Sequence, residues 1–184
     1  MSKTRFDNFS DALIAIIMTI MALRMKAPAD GDLQSLIAAK PIFMSYVMSF
    51  VVVSIFWVSH NQLFQKVEDI NRKMVWANLH LLFWMSLIPL VMAFMGEHHK
   101  EALPVAAYAL VFGMTYFAFT LLRKEVAKQS GYLKNAQHSM MVKQNIFAGI
   151  LYFISIPLAF VSVYIPYGLF ALIPLSFFLV KRSA

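Results

Sequence analysis

RFDNFSDALIAIIMTIMALRMK, Arg5 to Lys26, decides how the chain is read. Its centre, Ala12 to Leu23, is twelve residues without a charge, roughly 18 Å of helix at about 1.5 Å per residue. A spanning helix needs about 20 apolar residues, with roughly 17 to 25 tolerated, to cross some 30 Å of hydrocarbon. The stretch is short for a helix surrounded by lipid. A secretory signal would have a charged start and an apolar run of this length, and the small residues Ala27, Pro28 and Ala29 fit that pattern. Asp7 and Asp11 dilute the basic start, however, and Arg24 and Lys26 stand where the approach to a cleavage site is normally uncharged. The expected structure is a first span that need not face lipid. A helix beside a water-filled path is shielded by its neighbours and keeps charged ends.

Working outward, apolar stretches recur at about 9 to 25, 41 to 64, 74 to 95, 102 to 122, 141 to 163 and 165 to 180. The 184 residues are 60% hydrophobic and 14% charged, against about half and a quarter in soluble domains. The expected fold is an all-α membrane protein of six transmembrane helices per subunit with short loops. It forms a single domain over 1–184, since no linker or composition shift divides it. The absence of Cys excludes disulfides, thiol nucleophiles, thiolate zinc sites and iron–sulfur ligation.

A net charge of +7 suggests nucleic acid until its distribution is read. With a cytoplasmic N-terminus, the inner segments hold Lys3, Arg5, Lys66, Arg72, Lys73, Arg123, Lys124, Lys128, Lys134, Lys143, Lys181 and Arg182. Only Arg24, Lys26, Lys40 and Lys100 lie outside, a positive-inside bias of twelve to four. An even number of spans then places both termini in the cytoplasm. The basic charge reports orientation in the cell membrane, and no nucleic-acid partner is expected.

On a helix of 3.6 residues per turn, Leu13, Ile16, Ile20 and Leu23 form one narrow aliphatic seam. A parallel homo-oligomer presents such a seam to its axis, although from spacing alone a packing or lipid-facing surface is the commoner origin. Asp11 lies five residues, about 140°, from Ile16, so its carboxylate faces away from the seam and into protein. An unpaired carboxylate in a low dielectric costs several kcal/mol and therefore seeks partners. Trp57, His60 and Asn61 near the end of the second span, with Trp76, Asn78 and His80 at the start of the third, arrive at the same depth as Arg5, Ser10 and Asp11. These residues are expected to form one buried polar cluster that holds the first helix in register. Metal binding by His60, His80 and Asp11 is disfavoured because no helical ligand pair marks a metal face. The GEHHKE turn, Gly96 to Glu101, reads as a solvated loop.

RFDNFSD, Arg5 to Asp11, matches the Arg-x-x-x-Phe-Ser-Asp signature of the transmembrane protein 175 family. ALIAIIMTIMAL, Ala12 to Leu23, and FWVSHNQLF, Phe56 to Phe64, also resemble that family's first and second helices. The resemblance implies a potassium channel of the bacterial, single-repeat form, in the inner membrane, assembled as a homotetramer with the first helix lining a central pore. It further implies a constriction at Ile16, with Ile20 and Leu23 as further rings and Thr19 as a pore-proximal polar residue. Arg5, Phe9, Ser10 and Asp11 carry over as a packing and gating network, joined by His60, Asn78 and His80 from the cluster above. Nothing resembles a TVGYG-type loop, so selection would rest on a hydrophobic ring and be weak to moderate. Permeant potassium and membrane lipid are the expected small partners, with no cofactor.

The rival function is a secondary transporter or proton leak using Asp11, His60 and His80 as a relay, but no inverted repeat or paired broken helices support it. An enzyme is not expected, because no acid cluster, nucleophile elbow, metal motif or phosphate loop is present.

Overall fold

The computed structural model describes residues 2–28, 30–65, 67–130 and 136–179. Of the residues used above, Ala29, Lys66, Lys134, Lys181 and Arg182, and the last residue of the sixth expected span, lie outside them.

Eight helices follow one another among the described residues: α1 (Lys3–Leu23), α2 (Leu33–Ala38), α3 (Lys40–Phe64), α4 (Arg72–Ser86), α5 (Ile88–Glu97), α6 (Ala102–Ser130), α7 (Ala136–Val161) and α8 (Tyr164–Leu179). Helix is the form these sequences take in hydrocarbon because it satisfies every backbone donor and acceptor within the segment. Among the described residues, five helical stretches are long and apolar enough to cross a membrane: Lys3–Leu23, Lys40–Phe64, Arg72–Glu97, Ala102–Gln129 and Met140–Val161. α8, at the place of the sixth expected span, is apolar and is described over 16 residues.

Three boundaries depart from expectation. The first span begins at Lys3 rather than near residue 9, so its charged foot is helical. The third is two helices with a break at Leu87, where Pro89 occupies the first turn of α5. Proline fits there because a first-turn N–H has no intrahelical partner to lose. The short α2 had no apolar run to announce it. Asp32 starts it by accepting the Ser35 N–H at 2.8 Å.

α6 and α7 pack along each other most extensively, α4 and α5 lean on α6, and α8 closes against α7. Between them lies an aromatic core of Tyr108, Phe112, Tyr116, Tyr152 and Phe170. In a membrane such packing is held by shape and van der Waals contact rather than by escape from water. α3 and α5 meet at Gly96, where even a Cβ would lie 2.7 Å from the Ile42 Cα. The Ser45 hydroxyl is shared there between the Ile42 and Met92 carbonyls, at 2.9 and 3.1 Å. α1 packs against α3, α4 and α5.

Candidate functional site

That placement gives α1 two unlike faces. Phe6, Ser10, Ile14, Ile17 and Met21, at spacings of four, four, three and four, are buried against the other helices. Ile16, Ile20 and Leu23 point the other way and are 51%, 39% and 82% exposed. Leu13, expected on the seam, is half-buried and packs on the core, so it marks the seam's edge. Thr19 is exposed, and its hydroxyl donates to the Ile16 carbonyl at 2.8 Å. This bond is the usual way a helical hydroxyl settles when no other partner is near.

The foot of α1 is tied by a hydrogen-bonded chain whose directions follow from donor and acceptor chemistry. The Ser10 hydroxyl donates to the Phe6 carbonyl at 3.0 Å, so its oxygen is left to accept. It accepts from the Asn78 amide at 2.8 Å. The Asn78 oxygen then accepts from His60 Nε2 at 2.9 Å, which requires that Nε2 carry a proton. Ser10, Asn78 and His60 are all buried, so each bond satisfies a group that water does not reach. Three helices, α1, α4 and α3, are joined by this one chain.

The remaining members of the expected cluster lie elsewhere. Asp11 does face α3 and accepts from Trp57 Nε1 at 3.0 Å, but at a solvent-accessible rim rather than within the packed interior. His80 sits two residues from Asn78, on another side of α4, and accepts from Trp84 Nε1 at 2.9 Å, one turn away. Trp76 is exposed and Asn61 half-buried. Arg5 and Phe9 are exposed, and helical spacing sets both within about 20° of Ile16, on the seam side. The expected single cluster is thus a buried chain of three residues with two separate pairs at its margins.

Phe6 was missed in the sequence reading. Its ring is buried against His60 and Phe64, with centroids at 6.3 and 4.7 Å. The spacing Phe6, Ser10, Ile14 carries its signal, which the flanking charges Arg5 and Asp7 mask.

Among the described residues no group of three or more His, Asp or Glu is arranged to hold a metal ion. In the GEHHKE turn His98 pairs with Glu101 at 3.0 Å, and the His99 carbonyl accepts from Tyr167. Glu97 pairs with Lys26 at 3.2 Å.

The family model described as the endosomal/lysosomal potassium channel TMEM175 matches residues 5–89. The chain is 38% identical over 178 residues to a potassium channel of Chryseobacterium sp., covering 95% of this chain and 92% of that one. Its fold resembles the crystal structure of a lysosomal potassium-selective channel TMEM175 homolog from Chamaesiphon minutus. The TM-score is 0.85 at 25% identity, with 96% of each chain covered. It is also 27% identical to the endosomal/lysosomal proton channel TMEM175 of Danio rerio, over 90% of this chain and 37% of that longer protein.

Proposed function

We propose, since this chain belongs to the TMEM175 family of ion channels, that it is a potassium-permeable channel whose pore is lined by α1. Four copies surround a central path, each contributing six spans with α8 as the sixth. Both termini lie in the cytoplasm of a bacterial cell whose inner membrane holds the channel. The observation that carries this reading is the aliphatic seam Ile16, Ile20 and Leu23, left exposed on a helix whose opposite face is buried. An axis shared by several copies covers that seam.

Ile16 forms the constriction, with Ile20 and Leu23 as further rings and Thr19 beside them. An aliphatic ring offers no oxygen to replace hydration water, so an ion passes by shedding part of its shell in a narrow space. Potassium gives up water more readily than sodium, and a preference of weak to moderate size follows. Ser10, Asn78 and His60 hold α1 in register, while Arg5 and Phe9 face the neighbouring copies. A second reading, proton permeation, is favoured by the likeness to the Danio rerio proton channel.

Potassium and sodium flux through purified protein in liposomes tests both, with Ile16→Asn beside the wild type. The expected result is potassium-favouring flux in the wild type, and larger, less selective flux in the variant. Unchanged current and selectivity in Ile16→Asn would remove it from the constriction. A proton gradient that collapses at wild-type rates without added potassium would establish the second reading.

A further inference from the structure

Two cavities adjoin where α1 ends and α2 and α3 begin. One, of about 430 Å³, is almost wholly apolar, walled by Met25, Leu36, Ile37 and Phe43, with Lys26 and Lys40 also in its lining. The other, of about 310 Å³, shares Lys26 and adds the polar groups of Ser35, Glu97 and His99. The first lies within the range of about 300 to 1,000 Å³ usual for small-molecule sites. α2 leaves Leu33, Leu36 and Ile37 exposed at the ends of two spans, which is where a short helix meets the interface between hydrocarbon and water.

We propose that these cavities bind a monoanionic glycerophospholipid, with an acyl chain in the apolar cavity and its phosphodiester between Lys26 and Lys40. Charge decides the headgroup. Lys26 and Lys40 set against Glu97, which is paired to Lys26 at 3.2 Å, leave one positive charge. One phosphodiester cancels it, whereas a choline headgroup would bring a second cation to the same rim. Both lysines are exposed at their heads, as long cationic side chains are when their stems line apolar surface beside a headgroup layer. The lipid would brace Met25 and Lys26, directly beyond the last turn of α1.

The test is the melting temperature of the delipidated, purified oligomer in neutral detergent. Phosphatidylglycerol is compared with phosphatidylcholine of the same acyl chains. Phosphatidylglycerol is expected to raise the wild-type Tm by about 5 °C, and phosphatidylcholine by less than about half of that. Lys124→Glu, at an exposed position on α6, retains the response. Lys40→Glu, which reverses the rim charge, and Ile37→Trp, which fills the apolar cavity, each abolish it. Equal shifts with the two lipids would overturn recognition of the headgroup. A full response in both cavity variants would overturn the site. Loss of the oligomer on size exclusion in those variants, with the lipid response intact, would show that a second copy fills the cavities instead.

Discussion

The Asn78 side chain donates to the Ser10 hydroxyl at 2.8 Å and accepts from His60 at 2.9 Å, so one amide on α4 anchors both α1 and α3. Asn78→Ala removes both bonds and strands two buried polar groups. A loss of about 1 to 2 kcal/mol is expected, since interhelical bonds in membranes sit at the low end while unsatisfied buried groups add a penalty. Ser10→Ala removes one of the same bonds, so the double variant should lose less than the sum of the singles. Denaturant titration of the protein in micelles measures this. Additive losses would mean that the two side chains act separately.

Phe6 is 1% exposed and packs against His60 and Phe64. Phe6→Ala leaves a cavity at the joint of α1 and α3 and is expected to cost about 3 to 5 kcal/mol in the same titration. Phe9→Ala, at a half-exposed position three residues on, removes contacts to neighbouring copies rather than core packing and should cost less, about 1 kcal/mol. Comparable losses at both positions would contradict the assignment of the two faces of α1.

At Gly96 a methyl group would meet backbone, the Ile42 Cα at 2.7 Å, as well as the Ser45 hydroxyl. A backbone atom cannot swing aside, so Gly96→Ala must push α3 from α5 and should cost about 1 to 3 kcal/mol. Gly168→Ala, in α8 with no atom within 4 Å of the new Cβ, makes a matched control. It should be neutral or stabilising by roughly 0.5 to 1 kcal/mol through the lower chain entropy of alanine. Equal effects at the two glycines would argue against close helix contact at Gly96.

The Asp32 carboxylate is held below its ordinary pKa by the backbone N–H of Ser35, which it accepts at the start of α2. A lowered folded pKa means that the cap is present above the unfolded value and is lost as pH falls through the folded one. Exchange of the Ser35 amide should therefore be slow, after correction for its intrinsic pH dependence, from neutral pH down to the acid range. It should quicken below the ordinary Asp value. In Asp32→Ala it should be fast throughout, and protection that persisted in that variant would rule out the carboxylate as the cap.

The spans were legible because hydrocarbon leaves a chain few choices. A run such as Lys40 to Phe64 must pair its backbone within itself, so its composition alone specifies a helix. The seam of α1 followed from its spacing, since 3.6 residues per turn put Ile16, Ile20 and Leu23 together whatever surrounds them, with Leu13 at its half-buried edge. The polar cluster was legible only as a set of candidates at one depth. His60 and His80 have the same chemistry, yet the angular position of α4 gives Asn78 to His60 and turns His80 toward Trp84.

What the sequence by itself determined was therefore helical: which segments are long and apolar enough to span, and which residues of α1 share a seam. The tertiary structure decided which polar groups meet, because Ser10 and Asn78 are separated by 68 positions along the chain. A hydrogen bond of 2.8 Å between them depends on rotation, depth and close approach of α1 and α4, none of which local periodicity encodes.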